Sequence, residues 1–263
     1  MMIALSALLL AAAQPAPAEE LRVCADPNNM PFSNARGEGF ENRIVEAMAA
    51  DFGMKVHYEW WAQRRGSVRQ TLNAGLCDVI PGVGSTLEML ATTRPYYRAS
   101  YMFVSREDHD LAMSSFDDAR LKALRIGVQM IGDDGSNTPP AHALAKRGIV
   151  ENVRGYMIYG DYGQPDPQGR IMEAVECEDV DVALVWGPVA GYFAKHSPVP
   201  LRIMAVTPWL DGPLLPMAFD VSMGVRKADL TRRRQIDDWL KANTEKIRVI
   251  MAELGIDTAS VEP

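Results

Sequence analysis

The side chains of this sequence best suited to chemistry are rings, guanidiniums and small polar groups at strand ends. They do not form an acid–base set. Phe32, Trp60, Trp61, Tyr96, Tyr97 and Trp186 could line a cleft, and Arg64, Arg65, Arg94 and Arg98 could rim it. Such a lining suits reversible binding more than turnover. Ordinary core and surface packing is the competing account for about half of the rings. Asp26, Asn28 and Asn29 join the candidate binding residues, because they open a loop of turn-forming residues running to Gly39. Asp161 joins them at the head of a second turn-rich stretch, DYGQPDPQG.

Familiar catalytic and cofactor signatures are missing. There is no nucleophile elbow, H-E-x-x-H, Walker loop or C-x-x-C. Gly82-Val83-Gly84 is followed by Leu87 where a dinucleotide fingerprint needs glycine, and it reads as a strand-to-helix turn. Asp133, Gly135 and Asn137 are spaced like the start of a calcium loop, but its twelfth position is Leu144 and not a bidentate glutamate. His57, His109, His142 and His196 are scattered and no two cysteines are close, so neither a metal nor a cofactor is expected. The reading is a binding protein and not an enzyme.

The elements that must position these residues follow from apolar periodicity. Leu21–Ala25 is a buried strand, and Phe40, Ile44, Val45 and Met48 recur at helical spacing up to Gly53. Strand, polar loop and helix make an α/β unit, and ligands in open α/β sheets collect at the loops after strand ends. Lys55–Trp60 reads as a second strand, Ser67–Asn73 as a short helix and Cys77–Val83 as a strand buried on both faces. A helix at Ser85–Ala91 and a strand at Tyr101–Val104 follow. Further on, strands are expected at Ile126–Met130, Val153–Tyr159, Leu201–Val206 and Ala218–Arg226. Helices are expected after Thr138 with Pro139 in the first turn, at Arg170–Glu176, at Val189–His196, and once or twice within Thr231–Leu254.

An internal echo organises these pieces. Leu21-Arg22-Val23 returns as Leu124-Arg125-Ile126, and Asp78-Val79 returns as Asp181-Val182, at the same offset. Two copies imply two lobes of similar α/β build. The expected division is 19–104 with 219–263 in lobe one and 105–218 in lobe two, with two crossings acting as a hinge beside a cleft.

The 263 residues suffice for two modest lobes, and a formal net charge of -7 with no basic stripe argues against a nucleic-acid partner. Residues 1–18 are uncharged, contain an apolar run too short to span a bilayer, and end in Ala-Pro-Ala. They read as a cleaved export signal, which places the mature chain in the periplasm with no membrane insertion. Of three cysteines, Cys24 and Cys77 sit in strands that could be neighbours, so either a bridge between them or three buried thiols is open.

The two-lobe order, the D-V strands and the PYY segment resemble a type 2 periplasmic substrate-binding protein of the amino-acid class. In that class a T-x-x-R element supplies an arginine for the ligand carboxylate. Here it reads Thr86-Leu87-Glu88-Met89, and Trp186 stands where an aspartate would hold the ligand amino group. A buried charge without its partner is poorly accommodated, so free amino acids are not expected ligands. CADPNNMPFSNARGEGFENRI, the QRRG turn, TRPYYRASYMFV, GDDGSNTPPAHALA, DYGQPDPQGRI and VDVALVWGPVAGYFA resemble the methanol-oxidation J proteins of the MoxJ/XoxJ type. That resemblance implies that Cys24 and Cys77 sit together. It also implies a non-enzymatic accessory of a periplasmic PQQ-dependent methanol or alcohol dehydrogenase, engaged through the inter-lobe cleft. The alternative is an importer receptor for a small molecule, PQQ or an organic acid. A dehydratase built on the same fold has no feature in its favour.

Overall fold

The computed structural model describes residues 19–131, 137–158, 163 and 165–257. The residues of the expected export signal lie outside that set, as do Asp133, Gly135 and Asp161. The first half carries β1 (Glu20–Ala25), β2 (Asn28–Asn29), β3 (Ser33–Asn34), α1 (Phe40–Asp51), β4 (Lys55–Trp60), α2 (Ser67–Gln70), β5 (Ile80–Gly84), β6 (Ala91–Thr92) and β7 (Tyr97–Arg106). The second half carries β8 (Ile126–Met130), α3 (Pro139–Lys146), β9 (Val153–Met157), α4 (Arg170–Glu176), β10 (Val182–Trp186), α5 (Gly187–His196), β11 (Leu201–Ala205), β12 (Ala218–Val225), α6 (Leu230–Ala242) and α7 (Thr244–Glu253).

β1 pairs in parallel with β4, and a bridge from Val23 to Val79 ties β1 to the approach of β5. A larger sheet runs β5-β12-β7-β10-β8-β9, with β6 on β12 and β11 on β7. The long strand β7 joins two bodies. Tyr97–Ser100 pair with β12, and from Tyr101 onward the partners are β10 and β11. The apolar cores divide the same way. One draws on 21–99 and 221–256, centred on Phe40, Ile44, Met48 and Met223. Two more draw on 102–217, on either face of β10 and β8, so that Leu184 faces one and Val185 the other. Side chains alternate across a strand, and both faces of β10 are apolar because both are covered.

The internal echo has a physical basis. The Arg22 guanidinium reaches Asp78 at 2.7 Å, and the Asp78 amide donates to the Arg22 carbonyl. Arg125 forms the same clamp with Asp181, whose amide donates to the Arg125 carbonyl. In each body the clamp ties the entry of one strand to the entry of its neighbour. Arg226 adds a second guanidinium to Asp78 at 3.0 Å.

Two expectations fail locally. No helix forms over Ser85–Ala91, because Thr92 Oγ1 takes the Ser85 carbonyl, the Ser85 hydroxyl pairs with that of Ser222, and the chain turns into β6. The expected helix from Ser67 stops at Gln70. Thr138 precedes α3 as expected, but its hydroxyl donates to the Gln129 carbonyl at 2.6 Å and leaves the helix end alone. Cys24 and Cys77 form a disulfide with Cα atoms 5.5 Å apart, and Cys177 is an exposed free thiol, so the three-buried-thiol alternative falls.

Candidate functional site

A cavity of about 350 Å³ lies where the bodies meet. β1 delivers Asp26, the following loop Asn29 and Phe32, α1 Glu41, the turn after β4 Gln63, and β5 Gly82–Gly84. The other body supplies Gln129, Thr138, Gln168 and Trp186, while Tyr97, Tyr101, Phe219 and Val221 come from the strands that cross between them. Ligand pockets of this size suit a small molecule or one protruding side chain.

Asp26 is buried and pins the loops around it. Its carboxylate accepts the amides of Asn28 (2.9 Å) and Gln63 (2.8 Å), and its carbonyl accepts the Ser33 hydroxyl. Gln129 performs the same task in the other body. Its Oε1 accepts the Trp186 amide at 2.8 Å and its Nε2 donates to Gln168 Oε1 at 3.2 Å. Gln168 Nε2 then donates to Asn29 Oδ1 at 2.6 Å. This chain of amides crosses the cleft, so closure of the two bodies is held partly by hydrogen bonds between neutral groups.

Trp186 ends β10 just before α5, with Pro188 in the first turn. Its ring meets Tyr101 edge-on at 5.1 Å and tilts against Phe219 at 6.0 Å, making an aromatic corner. Glu41 also lines the cavity and is 3% exposed. Its Oε2 has no hydrogen-bond partner among the described residues. Burial, with a smaller push from the Asp26 charge, raises its pKa to about 8. Gly82 makes room for it, since a Cβ there would stand 2.0 Å from Glu41 Oε1.

Of the residues expected from the sequence, Asp26, Asn29, Phe32, Tyr97 and Trp186 line this cavity. Asn28 is held beside it through its amide. Trp61, Arg64 and Arg65 line an adjoining hollow of about 230 Å³ that shares Gln63, Gly82 and Val83 with the cavity. Tyr96 is packed into the first core with its hydroxyl on the Pro81 carbonyl, and the exposed Arg94 gives its amide to Asp237. Neither lines the cavity, which corrects the expectation for both. Trp60 stacks on Tyr58 at 4.5 Å and also belongs to packing. Met89 is exposed and outside the lining, while Trp186 is inside it.

Sequence reasoning missed Glu41, Gln63, Gln129, Gln168, Tyr101 and Phe219. For Glu41 a signal existed. At about 100° per residue, it falls inside the arc spanned by Phe40, Ile44, Val45 and Met48, so a carboxyl stands in the apolar stripe of α1.

Residues 21–250 match the model of the bacterial extracellular solute-binding proteins, family 3. The chain belongs to that family. It is similar to Protein MoxJ of Methylorubrum extorquens, at 33% identity over 92% of this chain and 82% of that one. Protein MoxJ of Paracoccus denitrificans is 30% identical over 95% and 94%. The crystal structure of periplasmic binding protein XoxJ from Methylobacterium extorquens AM1 matches with a TM-score of 0.74 at 33% identity, covering 90% of this chain and 98% of that one. The resemblance to J proteins read from the motifs therefore holds, and the architecture is the two-lobe fold of periplasmic binding proteins.

Proposed function

We propose that this protein is a non-enzymatic, periplasmic accessory of a PQQ-dependent methanol or alcohol dehydrogenase, which it engages through the cleft between lobes. The lobes read from the sequence, 19–104 with 219–263, and 105–218, are hinged where β7 and β12 cross, and β7 moves the first boundary to between Ser100 and Tyr101, since Met102, Phe103 and Val104 join the cores of the second body. The observation that carries this reading is the replacement of both amino-acid anchors. By the resemblance drawn from the sequence, Trp186, which lines the cavity, stands at the aspartate position, and Met89, exposed and outside the cavity, at the arginine position. The J-protein likeness over nearly the whole chain supports the same reading. Among the described residues lining the cavity there is no acid–base pair serving a reactive position, because Asp26 is occupied with the amides of Asn28 and Gln63.

The importer-receptor alternative for PQQ or another organic acid has less support. No lysine or arginine lines the cavity among the described residues, so an acid would enter beside Asp26 without a counter-ion. The test is to mix the purified protein with its dehydrogenase and measure complex formation by ultracentrifugation, with turnover alongside. A stable complex with altered activity is expected. A failure to associate, with turnover unchanged, removes the reading.

A further inference from the structure

The cavity is acidic and aromatic. Asp26 and Glu41 are its ionisable acids, and Phe32, Tyr97, Tyr101, Trp186 and Phe219 supply rings. Its other polar side chains are neutral, those of Asn29, Gln63, Thr138, Gln129 and Gln168. Arg64 and Arg65 line the adjoining hollow, which shares Gln63, Gly82 and Val83 with this cavity, and already have partners. Carboxyls joined to ring faces attract cations and repel anions, because the ring quadrupole presents negative charge to its face.

We propose that this cleft takes a cationic group, an ammonium or guanidinium, seated between the Glu41 carboxyl and the aromatic corner of Tyr101, Trp186 and Phe219. Glu41 is the residue that asks for such a partner. It is buried, aimed into the cavity, and its Oε2 is unpartnered among the described residues. Gly82 holds open the space its carboxyl needs. A buried carboxyl with no hydrogen-bond partner is costly, so its retention at a cavity wall points to a polar partner that arrives with the ligand. The titratable groups that sense Glu41 are Asp26, Tyr58, Tyr96 and Tyr97, and none of them is cationic. Burial keeps the empty-site carboxyl protonated near neutral pH. An arriving cation favours the ionised form, so binding releases a proton.

The inference rests on the accessory reading only in taking the cleft as the working surface. The cation can be a free amine or a basic side chain of the partner, and the experiment separates them. Agmatine, benzylamine, succinate and benzoate are titrated into the full mature protein by calorimetry in two buffers of different ionisation enthalpy, with melting temperature as a second readout. Both amines are expected to bind with proton release and to raise the melting temperature, and both acids to do neither. Glu41→Gln and Gly82→Ala are each expected to weaken amine binding at least tenfold while the circular dichroism spectrum is kept. Displacement of the dehydrogenase by agmatine assigns the cation to the partner, and simultaneous binding assigns it to a free amine. Acids binding more tightly than amines, no amine binding, or amine affinity unchanged by Glu41→Gln overturns the proposal. Those outcomes leave dehydrogenase association as a separate measurement, and loss of that association with amine binding intact sinks the accessory reading alone.

Discussion

Replacing Glu41 by glutamine should make the protein more stable, and increasingly so as the pH rises. The carboxyl ordinarily titrates near 4.5 and is pushed up to about 8 by burial. The folded state therefore holds this proton more tightly than the unfolded state does. The stabilising protonation is fully present below about pH 4.5, is lost progressively as pH climbs, and is gone above about pH 8. At about 1.4 kcal/mol per pH unit, the wild-type protein gives up on the order of 3–4 kcal/mol between pH 5 and pH 8 through this one group. Glutamine keeps the shape and cannot ionise, so the variant lacks that loss. Urea denaturation of both proteins at pH 5 and pH 8 yields a double difference in which other titrating groups cancel. A double difference of about 3 kcal/mol in favour of Glu41→Gln is expected. Parallel pH dependences, with a double difference below about 1 kcal/mol, would show that the carboxyl is solvated or paired and that the burial argument is wrong. Repeating the wild-type series with bound agmatine should flatten the fall, since a cation stabilises the ionised form.

Two further outcomes follow from the same geometry. The Cys24–Cys77 bridge spans a sequence separation of 53 residues, and the chain-entropy model gives it about 4 kcal/mol. The double variant Cys24→Ala/Cys77→Ala should lose stability of that order in urea, and an unchanged midpoint would refute the bridge's role. Gln168→Ala removes the amide bond to Asn29 across the cleft. It should cost about 1 kcal/mol and enlarge the radius of gyration in small-angle scattering, whereas identical scattering curves would show that this bond does not hold the bodies together.

Much of the fold was legible because local rules and long-range packing agreed. β4, β8 and α4 fall on the residues expected for them, and Gly53 ends α1 with the positive φ that a helix stop favours. The segment 85–91 misled because the Ser85 hydroxyl pairs with that of Ser222 and the Ser85 carbonyl accepts the Thr92 hydroxyl, contacts outside the segment that local periodicity cannot register. Residue type alone does not separate Tyr96, which packs, from Trp186, which lines the cleft.

What the sequence determined by itself was the pair of α/β units and their family. The Arg22–Asp78 and Arg125–Asp181 clamps are written twice at one offset, because each unit must tie the same two strand entries. What only the tertiary structure decided was which side chains share the cavity. Glu41, Gln129, Gln168 and Phe219 are far apart along the chain and carry no motif spacing. They meet because β7 changes partners between Ser100 and Tyr101 and brings the two bodies face to face. Burial then sets the charge of Glu41, and burial belongs to the packed molecule and to no single stretch of its sequence.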